Sequence, residues 1–251
     1  MKLNYKVYGD GDKTIVLLHY FGGKGESWKW VAKRMEKKFR VVAITLPGFG
    51  NTDSLSQPST YDFSEYINRC IAKLKLKNYV LCGHSMSGKL ALYATQINAA
   101  IKPKGVVLIA PSPPTIEKMP DKEKERMLNH PNRDEAIKTV KNATVKSLRP
   151  RKFDLAVRTQ LETDSATWSW WLEEGMLDNI ADRIQGIDMP IFVICANKDP
   201  VISMDAIYED VLPNLHEPRL IQLGGCGHLI PLESPRKLSK RLRKIAKRVL
   251  D

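Results

Sequence analysis

VLCGHSMSGKLALYA, residues 80–94, joins an apolar run typical of a strand to a helical pattern through a turn of small residues. Ser85 lies in that turn, with Gly83 two positions before it and Ser87 two positions after it. A serine in a tight strand-to-helix turn is held above the edge of a sheet, near the N-terminus of the next helix. Strand and helix pack closely there, so the positions two residues away must be small. Ser85 is therefore the candidate nucleophile, because Ser87 would place Lys89 at one of these cramped positions.

The rest of the chain repeats this alternation of short apolar runs and longer helical patterns, which predicts an α/β fold with a mainly parallel sheet flanked by helices. Predicted strands span residues 3–8, 14–19, 40–46, 79–82, 105–110, 191–196 and 219–223. Predicted helices span residues 27–37, 63–74, 85–97, 203–211 and 235–249. At 251 residues, the chain has room for one large domain with an insertion.

The alternation stops between residues 113 and 186, where the chain is polar and carries helical patterns without a run typical of a strand. A structureless loop of that length is improbable inside a compact domain. We therefore predict a helical insertion at 113–186, between two parts of one α/β core at 1–112 and 187–251.

Composition predicts a soluble cytoplasmic protein. Hydrophobic residues make up 43% of the chain and charged residues 27%, which is ordinary for a globular domain. The first residues, MKLNYKVYGDGDKT, lack an apolar signal core, and no apolar run approaches the roughly 20 residues that span a bilayer. The four cysteines form no Cys-x-x-Cys pair, so we expect buried thiols and no metal site.

The net charge of +12 raises the alternative of a nucleic-acid or membrane-surface protein. Residues 234–251 hold eight Lys or Arg and one Asp, so this one segment carries 8 − 1 = +7 of the excess. Apolar residues recur there at helical spacing, which predicts a terminal helix packed on the sheet with a solvated basic face. Exposed aromatic residues and a nucleic-acid motif are missing from this segment, so we expect neither nucleic acid nor membrane as a partner.

A serine nucleophile needs a base, and the base needs an orienting acid. Of the five histidines, His228 lies in a glycine-rich loop after the last predicted strand, where a mobile imidazole could reach the carboxyl edge of the sheet. Asp199 follows the preceding predicted strand. The order Ser85, Asp199, His228 is one of the known chain orders of such triads. We therefore predict these three as catalytic residues.

The first buried run, TIVLLHYFGG at 14–23, ends in two glycines that let backbone amides turn toward the serine. We predict that the amides of Phe21 and Met86 form an oxyanion hole, which is worth several kcal/mol to a tetrahedral intermediate.

With these residues placed, the chain resembles the α/β-hydrolase superfamily over nearly its whole length. The resemblance rests on LLHYFGG, LPGFGNTD, CGHSMSG, NKDPVIS and GCGHLIPLESP. It implies that residues 113–186 form the helical cap over the active site, here called the cap segment. Tyr20 stands where many members have glycine, and Ser87 replaces the second glycine of the nucleophile turn. Haloalkane dehalogenases and epoxide hydrolases of this superfamily use an aspartate nucleophile, which position 85 does not supply. The resemblance with a serine at this position implies acyl chemistry without a metal or organic cofactor.

The leading hypothesis is a carboxylic-ester hydrolase for small or medium, uncharged to anionic esters, acting as a monomer or homodimer. Substrate contacts are predicted for Tyr20, Trp168, Trp171 and Leu229, although tryptophans in succession more often pack in a helical core. The same triad could serve perhydrolysis, carbon–carbon bond hydrolysis or cyanohydrin cleavage, because a fold does not choose among them. A ligand receptor that retains the triad is a further alternative.

Overall fold

Seven strands form one sheet in the computed structural model, which describes residues 1–98 and 100–251. In chain order the strands are β1 Asn4–Tyr8, β2 Thr14–Leu18, β3 Arg40–Thr45, β4 Tyr79–His84, β5 Gly105–Ile109, β6 Ile191–Ala196 and β7 Arg219–Leu223. Their order across the sheet is β1-β3-β2-β4-β5-β6-β7. Only the β1–β3 pair is antiparallel among the pairs within the described residues. The predicted α/β fold with a mainly parallel sheet is confirmed.

The central strands are apolar along their whole length because helices cover both faces of the sheet. Every residue of β2, β4, β5 and β6 is buried. The edge strand β7 instead exposes Arg219 and Gln222. Strand β4 continues two residues beyond its predicted end, and His84 pairs in register with Ile109 of β5. The strand therefore delivers the chain directly to Ser85.

Ten α-helical segments accompany the sheet within the described residues: α1 Lys29–Ala32, α2 Thr60–Lys73, α3 Met86–Ile97, α4 Asp121–Leu128, α5 Arg133–Asn142, α6 Pro150–Leu161, α7 Ser165–Trp170, α8 Met204–Ala206, α9 Ile230–Glu233 and α10 Pro235–Leu250. The helix predicted at 27–37 is wrong in its length. One 3₁₀ turn, Gly25–Trp28, precedes α1, and the chain then continues as tight turns with the amide of Met35 donating to the carbonyl of Ala32 at 2.8 Å. The helix predicted at 203–211 splits into α8 and a π-helical turn, Ile207–Val211.

Two hydrophobic clusters lie on opposite faces of the sheet. One includes Phe63 of α2 and Leu90 of α3, and the other includes Trp28 and Leu242 of α10. Helix α10 buries its apolar stripe while its Lys and Arg side chains lie on the outer face, as its spacing predicts. The clusters pack helices against both faces of the sheet, and the loops at the carboxyl ends of its strands extend from this packed base.

The chain between β5 and β6 contains α4, α5, α6 and α7 together with short 3₁₀ and π-helical turns, and it contains no strand. A helical insertion between these strands is therefore present, while the exact boundaries 113 and 186 stay a prediction. None of the helices within the described residues is both long enough and apolar enough to cross a membrane.

Candidate active site

Ser85 occupies a strained turn between β4 and α3. Its backbone has φ 54° and ψ −121°, in the left-handed half of φ space that non-glycine residues rarely adopt. The amide of Ser85 donates to the carbonyl of Ile109 at 2.9 Å, and its carbonyl accepts from the amide of Gly88 at 2.7 Å. A Cβ atom on Gly83 would lie 2.0 Å from the carbonyl oxygen of Ser87. The close approach of strand and helix thus requires glycine at position 83.

Position 87 has a role beyond its small size. Ser87 is fully buried, and its hydroxyl donates a short hydrogen bond to the carbonyl oxygen of His19 at the end of β2. This bond links the nucleophile turn to the loop that carries Phe21. Sequence reasoning assigned Ser87 a steric role alone, because its partner lies 68 positions away in the chain.

The structure brings Ser85, His228 and Asp199 together at the carboxyl edge of the sheet. The Oγ of Ser85 lies 2.9 Å from Nε2 of His228, and Nδ1 of His228 lies 2.9 Å from Oδ2 of Asp199. The carboxylate is oriented by its other oxygen, which accepts from the amides of Val201 at 2.8 Å and Ile202 at 2.9 Å. In this arrangement Nδ1–H donates to Asp199, and Nε2 is free to accept the serine proton.

Two opposing effects set the pKa of His228. Burial of the imidazole disfavours its charged form, but the charge of Asp199 and the hydrogen bond to it outweigh burial, and the pKa of His228 is raised above its ordinary value. Glu117 and Glu233 add smaller contributions in the same direction. A protonated His228 is therefore stabilised in place.

Three contacts hold the loop that carries His228. The amide of His228 donates to the carbonyl of Ala143 in the cap segment at 2.9 Å, and the amide of Gly227 donates to the Glu233 carboxylate at 2.9 Å. The Nε2–H of His84 donates to the carbonyl of His228 at 2.9 Å. Burial lowers the pKa of His84 well below its ordinary value, so this ring stays neutral. His84 thus helps to hold the loop of His228, the candidate base, and its adjacency to Ser85 in the chain did not reveal this contact.

The loop after β2 presents Phe21 beside the nucleophile turn. His19 accepts from the amide of Leu46 at 3.1 Å through Nε2, so its Nδ1–H donates to the carbonyl of Tyr20 at 2.8 Å. Burial lowers the pKa of His19 to about 4, which keeps this tautomer uncharged. Within residues 1–98 and 100–251, neither the amide of Phe21 nor that of Met86 donates to a protein acceptor. Both amides are available to a ligand oxygen, and the oxyanion hole stays a prediction.

A cavity of about 370 Å³ opens onto Ser85 and His228. Three of the predicted substrate contacts, Tyr20, Trp171 and Leu229, line it.

Trp168 is not among the residues that line this cavity. Its indole stacks on His130 with ring centroids 4.1 Å apart, and its Nε1–H donates to the carbonyl of Met127 at 2.7 Å. The other face of the indole packs against Phe21, with centroids 4.1 Å apart. Trp168 thus packs behind the loop after β2, and a direct substrate contact of Trp168 stays a prediction.

Polar side chains of the cap segment also line the cavity, among them Glu117, Asn142 and Gln160. Sequence reasoning missed them, since they lie in helices and loops whose path the apolar pattern does not determine. In the described part of the chain, no three His, Cys, Asp or Glu side chains are grouped so as to hold a metal ion. The expectation that no cofactor is needed stays a prediction.

Comparison with known proteins adds three observations. A family model described as "Alpha/beta hydrolase family" matches residues 15–241. The pimeloyl-acyl-carrier-protein methyl ester esterase of Pseudoalteromonas atlantica is 33% identical over 111 residues, which cover 44% of this chain and 42% of that protein. The Karrikin insensitive 2 receptor B of Petunia hybrida is 30% identical over 119 residues, which cover 44% of this chain and 42% of that protein. The chain thus matches less than half the length of each of these relatives.

The fold is shared with solved structures. An esterase from Exiguobacterium antarcticum superposes with a TM-score of 0.87, covering 98% of this chain and 95% of that one at 16% sequence identity. At that identity the likeness concerns the fold alone.

Proposed function

The chain belongs to the alpha/beta hydrolase family, and from this premise we propose that it is a serine hydrolase that cleaves carboxylic esters. One observation carries the proposal. The hydrogen-bonded series Ser85 Oγ, His228 Nε2, His228 Nδ1 and Asp199 Oδ2, with both separations at 2.9 Å, opens onto a cavity of about 370 Å³. A cavity of this size suits a small or medium ester.

Acylation begins when Ser85 Oγ attacks the ester carbonyl while His228 Nε2 takes its proton. The carbonyl oxygen becomes an oxyanion that accepts from the amides of Phe21 and Met86. Asp199 stabilises the imidazolium and holds its orientation. His228 then gives the proton to the leaving alcohol oxygen, the carbon–oxygen bond breaks, and an acyl-serine remains.

Deacylation repeats these steps with water as the nucleophile. His228 takes a proton from water as the oxygen attacks the acyl carbon, and a second oxyanion forms. Collapse of this intermediate breaks the bond to Ser85 Oγ, which regains a proton from His228. The products are a carboxylic acid and an alcohol, and the enzyme returns to its starting state.

The proposal is tested with p-nitrophenyl butyrate and the variants Ser85→Ala, His228→Ala and their double mutant. Each single change should reduce kcat by about 10⁴-fold or more, and the double mutant should be little worse because the residues act as a unit. Ser54→Ala is the matched control, since Ser54 is exposed and far from the turn in sequence. A folded Ser85→Ala protein that keeps near-normal turnover would overturn the assignment.

A ligand receptor is the second candidate, favoured by the similarity to the Petunia receptor over 44% of this chain. A receptor that retains the triad would bind a small ligand with little turnover. Multiple turnovers of a simple ester at rates above 1 s⁻¹, the order of magnitude typical of enzymes, would favour the hydrolase. A thermal shift with ligand but without product release would favour the receptor.

A further inference from the structure

Glu117 places a carboxyl group in the wall of the catalytic cavity. The residue follows β5 in the cap segment, lines the cavity and is only 8% exposed. Its amide donates to the carbonyl of Met176 at 2.8 Å, which fixes the backbone. Its Oε2 is buried and meets no hydrogen-bond partner among the described residues. The Ser112 hydroxyl lies near enough to influence this carboxyl, but its Oγ also meets no partner within hydrogen-bond distance. Buried polar oxygens are normally paired, so both groups have an unused capacity to bind.

A buried lysine whose charge acts on Glu117 does not supply the missing bond. Lys89 is fully buried, and its charge acts on the Glu117 carboxyl. Its Nζ already donates to the carbonyls of Asp178 at 2.8 Å, Thr115 at 3.0 Å and Met176 at 3.1 Å. An ammonium group has three N–H donors, so none is left for Glu117 or for a ligand. Lys89 therefore offsets the charge of the Glu117 carboxyl but leaves its Oε2 without a hydrogen bond.

The charged groups around Glu117 come from several elements. Burial raises the pKa of the carboxyl above its ordinary value, and Asp199 adds to this, whereas the Ser112 hydroxyl and the charges of Lys89 and His228 oppose it. Burial thus favours the neutral carboxylic acid, whereas the Ser112 hydroxyl and the positive charges favour the carboxylate.

These surroundings select among ligand groups. A carboxylate on the substrate placed against Glu117 would be repelled by the ionised form of that residue, and the three N–H donors of Lys89 are already used. Lys118 also lines the cavity, but it is exposed to solvent. An ammonium group would meet the charge of Lys89 and the imidazolium that forms on His228. A hydroxyl group avoids both conflicts, because it donates to a carboxylate and accepts from a carboxylic acid.

We propose that Glu117 determines substrate specificity by binding a hydroxyl group, so that the preferred substrates are esters with a hydroxyl in the acyl or the alcohol part. This inference rests on the proposed ester hydrolysis and names its substrate class. The remainder of the substrate would lie against the apolar lining that includes Phe21 and Leu229.

The test compares matched ester pairs in a pH-stat assay: methyl 2- and 3-hydroxybutyrate against methyl butyrate, and 2-hydroxyethyl butyrate against propyl butyrate. For each pair, the ratio of kcat/KM is measured in the wild type and in Glu117→Leu. Intrinsic ester reactivity cancels when the two ratios are compared. The preference for at least one hydroxylated ester should fall about tenfold or more, the loss expected for one hydrogen bond to a buried group.

Glu117→Gln keeps both a donor and an acceptor, so its ratio should lie between those of the wild type and Glu117→Leu. Glu125→Leu is the matched control, because Glu125 is an exposed carboxylate of α4 outside the cavity lining. Its ratios should equal those of the wild type. A ratio in Glu117→Leu that is unchanged for every pair would overturn the inference while leaving ester hydrolysis intact. Absence of any ester turnover by the wild type would instead overturn the proposed function.

Binding to the wild type provides a measurement that does not depend on how a variant folds. Butyramide and its 2- and 3-hydroxy derivatives are used as competitive inhibitors of methyl butyrate hydrolysis, because an amide carbonyl is less reactive than an ester carbonyl. At least one hydroxy derivative should inhibit with a constant about tenfold lower than butyramide. Propanol and ethylene glycol are compared in the same way for the alcohol part of the ester. Equal inhibition by all three amides, together with equal inhibition by the two alcohols, would contradict a hydroxyl site at Glu117.

Discussion

Gly83→Ala is expected to displace the nucleophile while changing only one methyl group. The new Cβ would lie 2.0 Å from the carbonyl oxygen of Ser87, 2.5 Å from its carbonyl carbon and 2.8 Å from the amide nitrogen of Gly88. All three are backbone atoms, so no side chain can rotate away. Reaching an ordinary contact of 3.4 Å requires strand and helix to separate by about 1.4 Å, and Ser85 lies between them. A shift of about 1 Å at a reacting atom costs on the order of 10²-fold in rate.

The change should also lower the free energy of unfolding by about 1–3 kcal/mol, the usual cost of overpacking. Turnover of p-nitrophenyl butyrate reports the rate, and urea denaturation reports the stability. Gly224→Ala is the matched control, because a Cβ there would meet nothing within 4 Å of described structure, and it should leave both quantities close to wild type. A folded Gly83→Ala protein with wild-type kcat/KM would refute the argument that strand and helix are in contact at this turn.

Three further changes test separate parts of the site. The proposed mechanism needs neutral His228, whose pKa is raised by Asp199, so kcat/KM should fall as the pH drops through that pKa. Asp199→Asn should move this acid limb of the pH–rate profile to lower pH and reduce kcat by about 10³- to 10⁴-fold. An acid limb that does not move would contradict this. Ser87→Gly should retain most turnover, but its free energy of unfolding in urea should fall by about 2 kcal/mol, because one hydrogen bond and some helix propensity are lost. A folded Gly variant without activity would give the hydroxyl a catalytic role. Lys89→Met should lower the free energy of unfolding by about 2–3 kcal/mol, because buried carbonyls lose their donor; wild-type stability in the same assay would contradict this.

Most of the fold could be predicted because its signals are local in sequence. Apolar runs such as 105–110 and 191–196 match β5 and β6, since strands buried on both faces must be apolar throughout. Helix α10 follows from apolar residues at helical spacing. The helix expected at 27–37 is α-helical only over Lys29–Ala32, with a 3₁₀ turn before it and tight turns after it. Such turns have the same local composition as a helix, so tertiary packing decides between them.

The candidate triad could be placed from the sequence for a topological reason. The carboxyl ends of parallel strands meet at one edge of a sheet, so residues at the ends of three such strands or in the loops that follow them converge there. Ser85 directly follows β4, whereas Asp199 and His228 lie in the loops after β6 and β7, and their side chains lie within hydrogen-bond distance in series. Their separation in the chain, up to 143 positions, does not weaken this argument.

The sequence by itself therefore determined the sheet, the strained turn and the residues at the strand ends, because periodicity and strand order carry that information. Only the tertiary structure decided which side chains support them. The Ser87 hydroxyl meets His19, the His84 ring holds the loop of His228, and Glu117 reaches the cavity from the cap segment. Each of these contacts depends on the direction of a side chain and on the path of a distant segment. Neither quantity is set by local composition, so packing of the whole chain was needed to reveal them.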